Sequence, residues 1–145
     1  NYVKTNDGNW YKYNYEIKIG ELTYNYSGSK LVNRESGYRL VKEEYLYYFL
    51  ENGYTYQVKD GGLDKIESIY VEEINLDYLD LTKIKTTIAD LEYTFLNNVY
   101  TYVLEDKTIT ITTNEENIEK IEIHIGENYY KLTFSEIGQI REITY

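Results

Sequence analysis

The chain has 145 residues, 42% of them hydrophobic, a net charge of −10 at pH 7, and no Cys, Met or Pro. That length suits a single domain with one sizeable core, and the missing cysteines exclude disulfides, thiol catalysis and Cys-ligated metal. The acidic balance is spread along the chain, and it argues against nucleic acid and anionic membrane surfaces, both of which select basic faces.

The apolar set is unusual. There are 20 Tyr, 3 Phe and 1 Trp, but a single alanine, Ala89. Strand-preferring residues therefore dominate, and the best helix former is nearly missing. Richness in Asn, Ile, Lys and Tyr also fits an AT-rich coding sequence. The chain begins at a polar segment without an initiator Met. It is expected to be a fragment whose signal peptide, lipid anchor or other domains have been removed. No run approaches the roughly 20 apolar residues of a membrane span.

Residues 1–9 (NYVKTNDGN) are polar and turn-rich, and predict a flexible tether. Asn6-Asp7-Gly8-Asn9 lacks the further spaced oxygens and distal Glu of a calcium loop, so it reads as a plain turn. Residues 10–145 form one β-rich domain. In residues 11–19 (YKYNYEIKI), Tyr11, Tyr13, Tyr15, Ile17 and Ile19 alternate with polar partners, the pattern of an antiparallel strand with one wet face. A turn at Gly20-Glu21 leads to a second strand through Leu22, Tyr24 and Tyr26. Residues 27–37 read as a polar connection. Residues 38–50 end in the run YLYYFL, which predicts a strand covered on both faces. Asn52-Gly53 is a type I′ hairpin signal, and Tyr54, Tyr56 and Val58 share a face in the return strand. Residues 63–79 fit both periods. β-Branched and aromatic content favours extended structure over residues 69–78.

Residues 80–90 (DLTKIKTTIAD) carry the one clear helical pattern. Leu81, Ile84, Ile88 and Leu91 mark an apolar face, and Asp80 is placed to cap the first turn. A meander follows. Strands are predicted over residues 91–96, 99–104, 108–113, 118–125 and 130–134, with a closing strand over residues 140–145. About ten short strands at this spacing predict a β-dominated domain.

Chemistry is thinly represented. His124 is the only imidazole, on the polar side of its strand, with no second His or Cys to complete a common metal or catalytic site. Glu72-Glu73, Asp77 and Asp80 form the densest carboxylate group, but adjacent strand residues point to opposite faces and cannot flank a substrate as glycosidase carboxylates do. No nucleophile elbow or phosphate-cradling glycine loop is present. Asn25-Tyr26-Ser27 matches a glycosylation acceptor, a short pattern that recurs by chance. No catalytic residue, metal ligand or cofactor is assigned. Tyrosine, with a large apolar ring and a hydroxyl, is the enriched group that can line a ligand cleft. The candidate ligand-binding residues are Tyr11, Tyr13, Tyr15, Tyr54, Tyr56, Ile84 and Ile88.

A long meander interrupted by a short helix and ending in the strand–turn–strand segment YYKLTFSEIGQIREITY resembles the LolA/LppX-like lipoprotein-carrier superfamily. The resemblance lies in element order and in that closing segment. It implies a mainly β (α+β) fold: a single curved antiparallel meander sheet, half-barrel-like, with one or two short helices packed on its concave face and acyl chains held between them. It also implies a secreted or surface-anchored bacterial lipoprotein. The expected function is a non-enzymatic extracytoplasmic domain that binds a lipid or other amphipathic small molecule between sheet and helix. Membrane association would come only through a removed anchor. The alternatives are a structural or protein-interaction domain of a bacterial surface protein without a ligand cavity, and a carbohydrate-binding sandwich that would show a planar row of solvent-facing tyrosines.

Overall fold

The computed structural model describes residues 10–115 and 117–145; the expected tether and its turn lie outside the described residues. Eleven strands form one open antiparallel sheet. They are β1 (Tyr11–Ile19), β2 (Leu22–Leu31), β3 (Arg34–Val41), β4 (Glu44–Glu51), β5 (Tyr54–Lys59), β6 (Gly62–Ile66), β7 (Thr94–Leu96), β8 (Val99–Val103), β9 (Thr108–Asn114), β10 (Asn117–Ile125) and β11 (Asn128–Ser135). Their order across the sheet is β6-β5-β4-β3-β2-β1-β11-β10-β9-β8-β7. The meander thus runs outward from the centre to one edge, restarts at the other edge, and returns to pair β11 with β1. This is the expected half-barrel sheet, left open at β6 and β7.

The connection between those two edges must cross a face of the sheet. Residues 67–93 make that crossing and contain the only helical elements among the described residues: a 3-10 turn, Leu76–Leu79, and α1 (Leu81–Ile88). Asp80 caps α1 by accepting from Thr82 N at 3.0 Å and Lys83 N at 3.3 Å, which satisfies two of the orphan amides of the first turn. Leu81, Ile84 and Ile88 are buried against the sheet. Each such side chain stabilises the docked state by roughly 1.5–3 kcal/mol. With moderate helix formers and two threonines bonded back onto their own turn (Thr86 to Thr82 O, Thr87 to Lys83 O), α1 depends on that docking.

Register fixes what lies beneath. On the inner face Tyr15 opposes Tyr26 and then Arg39 in one direction, and Leu132, Ile121 and Ile111 in the other. Ile17 likewise sits between Tyr24 on one side and Tyr130, Ile123 and Ile109 on the other. The inner face is therefore two-toned. The β1–β4 half is aromatic and hydroxyl-bearing, whereas the β9–β11 half is mostly isoleucine and leucine.

Several local expectations change. Residues 27–37 are not a connection, because β2 and β3 extend through them to a turn at Val32-Asn33. Residues 38–50 divide at Lys42-Glu43, both at positive φ (48° and 66°). Residues 69–78 do not add a strand: Ile69 and Ile74 are buried as cover for the inner face, and the segment ends in the 3-10 turn. Residues 140–145 do not pair either. β11 already has β1 and β10 on its two edges, so the chain leaves the sheet and passes over its outer face. There Ile143 is buried and Tyr145 meets Phe49 at 5.2 Å between ring centroids. Phe49 and Tyr48, adjacent in β4, are both buried, so that strand is covered on both faces at this point, although Tyr45 and Tyr47 are exposed.

Candidate functional site

Two open clefts flank α1, one on each tone of the inner face. The first, about 420 Å³, lies over the tyrosine side between the ends of β1 and β2 and the start of α1. Tyr11, Leu31, Tyr70, Leu79 and Leu81 give it apolar walls, Val32 (66% exposed) and Leu76 (51% exposed) an apolar rim, and Lys30 a cation. The second, about 430 Å³, lies over the isoleucine side. Ile84, Ile109 and Ile123 form its floor. Lys83 and Lys107 stand at its edges, held respectively by Asp77 at 2.6 Å and Asp106 at 3.2 Å. The wall between floor and edge is Tyr78, which packs edge-on against Tyr130 at 4.9 Å. Tyr130 in turn accepts from Asn75 N at 2.9 Å.

Beneath the first cleft the tyrosines form a hydrogen-bonded layer. The Tyr13 and Tyr15 rings stack at 4.5 Å. Tyr13 donates to the Glu35 carboxylate and shares a 2.5 Å hydrogen bond with the Tyr48 hydroxyl. Burial is the main cause that raises the pKa of the Glu35 carboxyl, against the opposing Tyr13 hydrogen bond and the Lys30 charge. Burial, followed by the Glu35 charge, holds the Tyr13, Tyr48 and Tyr70 phenols well above their usual range. Tyr26 rises to about 12 because burial outweighs the nearby Arg39 cation. Arg39 Nη1 and the Tyr26 hydroxyl both donate to Ile69 O, at 2.8 Å and 3.3 Å, which ties the crossing segment to the sheet. The Arg39 Nε is buried without a hydrogen-bond partner.

The residues singled out from sequence divide between the faces. Tyr11 lines the first cleft, Tyr13 and Tyr15 lie in the layer below it, Ile84 lines the second cleft, and Ile88 is buried under α1. Tyr54 and Tyr56 are not with them. Tyr54 opposes Glu51 and Tyr56 opposes Phe49, which places both on the outer face. The exposed Tyr54 ring carries Lys65 Nζ 4.4 Å from its centroid. Cleft residues that sequence reasoning missed are Lys30, Val32, Leu76 and Lys107. They come from turns and strand ends, where periodicity carries no signal. His124 lies on the outer face, 3.9 Å from Glu122.

No protein-family model matches the chain, and no curated protein matches it. Among solved structures, the fold is similar to that of LprF from Mycobacterium bovis, with a TM-score of 0.57 and 10% identity over 99% of this chain and 92% of that one. It is similar also to the Mycobacterium tuberculosis lipoprotein LppX, with a TM-score of 0.58 and 9% identity over 98% of this chain and 92% of that one. At that identity the likeness is one of fold. The LppX-like half-barrel expected from element order is the architecture this chain has.

Proposed function

We propose that this chain is a non-enzymatic, exported binding domain that holds an apolar or amphipathic ligand in the clefts between α1 and the inner face of its sheet. The observation that carries the reading is the pair of open clefts on either side of α1. Each is walled by apolar side chains of the helix and the sheet, and each has a lysine at its edge. Such a site suits a molecule with an apolar body and a polar or anionic end. The similarity in fold to the lipoprotein LppX supports export. The test is native mass spectrometry and solvent extraction of the protein purified from a bacterial host, together with titration of a fluorescent fatty-acid probe. Co-purified lipid or saturable probe binding is expected. The absence of both overturns the reading.

A second reading, a structural or interaction domain, is favoured by how fully α1 is seated: Leu81, Ile84 and Ile88 are all buried. It assigns function to exposed apolar surface such as that of the short edge strand β7, where Phe95 and Leu96 are both exposed. Saturable probe binding that is lost when the clefts are filled excludes it.

A further inference from the structure

We propose that the outer face of the sheet carries a separate binding site for a neutral, β-linked glycan. The register sets one transverse row across five strands: Thr133 of β11, Asn14 of β1, Ser27 of β2, Tyr38 of β3 and Tyr47 of β4 are successive cross-strand partners. The first three are small hydroxyl or amide groups, and the last two are tyrosine rings. The row is not flat. A depression of about 380 Å³ lies over Asn14, Ser27 and Thr133, with Tyr38 as its aromatic wall. On the far side of Tyr38 and Tyr47 a second hollow of about 270 Å³ runs to Tyr145.

The aromatic part is a platform of touching rings. Tyr45 and Tyr47 are 56% and 53% exposed and lie within 13° of parallel at 6.0 Å, with Tyr38 leaning on them at 5.4 Å and 6.1 Å. Exposed rings beside hydrogen-bonding side chains match a pyranose, which offers an apolar C–H face and a rim of hydroxyls. Strands repeat every ~4.8 Å, close to the rise of one sugar along an extended β-linked chain, so a row across the sheet meets successive units. The charge argues for a neutral ligand. In a chain of net charge −10, the first depression contains one ionised side chain, Lys12, which Glu136 neutralises at 2.8 Å.

The test is affinity electrophoresis of the whole chain, whose acidity drives it into native gels containing soluble mixed-linkage β-glucan, galactomannan or no polysaccharide. Retardation in at least one β-linked gel is expected. Tyr47→Ala and Tyr38→Ala should each weaken it by about tenfold, the scale of one lost aromatic contact, with Tyr54→Ala, outside the row, unchanged. On the unsubstituted protein, a β-linked hexasaccharide should shield Tyr38, Tyr45 and Tyr47 from chemical nitration in peptide mapping and leave Tyr54 reactive. Absence of retardation in both gels, retardation that persists unchanged in Tyr47→Ala and Tyr38→Ala, or nitration at Tyr38, Tyr45 and Tyr47 that the sugar does not slow overturns the proposal.

Discussion

The Tyr13 phenol reaches the Glu35 carboxylate, two strands away, across a notch in the sheet where Gly28 opposes Gly37. Neither glycine is there for its φ. A Cβ on Gly28 would strike Ser36 O and stand 2.8 Å from Tyr13 Oη, and one on Gly37 would strike Ser27 O and stand 2.8 Å from Gly28 Cα. Those obstacles are mostly backbone, so the strands themselves would have to part. Gly28→Ala and Gly37→Ala are each expected to destabilise by about 1–3 kcal/mol, the usual cost of overpacking, measured as a lower urea midpoint at unchanged slope.

Glu35 gives stability a pH dependence. Burial raises its folded pKa above that of the unfolded chain. The fold therefore favours the protonated acid, and this contribution is complete below the unfolded pKa and lost as pH rises through the folded value. Glu35→Gln keeps an acceptor for Tyr13 and removes the buried charge. The thermal midpoint of the unsubstituted chain should fall, relative to Glu35→Gln, as pH is raised from acid through neutrality. Parallel curves for the two proteins would refute this.

The same layer predicts a split alkaline titration. Tyr13, Tyr15, Tyr48 and Tyr70 are held above the ordinary value of 10.0, chiefly by burial, and Tyr26 lies at about 12. Their stabilising contribution is full below 10 and drains away as pH rises beyond it, because the unfolded chain then ionises where the folded one does not. Absorbance at long ultraviolet wavelength should rise in two stages, with Tyr13, Tyr15, Tyr26, Tyr48 and Tyr70 in the second. The buried group should follow in one step with loss of circular dichroism. A single smooth titration of all tyrosines in a chain that stays folded would contradict it.

What the sequence made legible follows from how locally each feature is encoded. The Tyr11–Ile19 alternation names its own inner face, Asn52-Gly53 names its own turn (φ 51° and 85°), and Asp80 names its helix start. Features set by distant partners were not legible. The hydroxyl and glycine residues of 27–37 look like a loop until β1 and β4 are alongside them. Residues 140–145 look like a strand until β11 is seen to have no free edge. Tyr54 and Tyr56 resemble Tyr11 and Tyr13 in spacing, yet strand parity after four intervening turns puts them on the opposite face, so a shared pattern did not mean a shared site.

The α1 cap gives a local test of how much the helix owes to its own sequence. Asp80→Ala removes the acceptor of Thr82 N and Lys83 N and should cost about 1 kcal/mol in urea denaturation. Because Leu81, Ile84 and Ile88 still dock, the unfolding transition should remain a single step.

The two clefts can be separated by filling each from the helix. Thr82 lines the first and Thr86 the second; both are exposed on α1, so Thr82→Trp and Thr86→Trp should leave stability within about 0.5 kcal/mol. Fatty-acid probe affinity is expected to collapse in the variant whose cleft holds the apolar chain and to survive in the other. The isoleucine floor of Ile84, Ile109 and Ile123 offers no hydrogen-bonding group, whereas the first cleft sits over the Tyr13–Glu35–Tyr48 layer. A simple acyl chain should therefore choose the second, and Thr86→Trp should be the damaging change. Equal binding by both variants at unchanged stability would move the ligand off the helix flanks altogether.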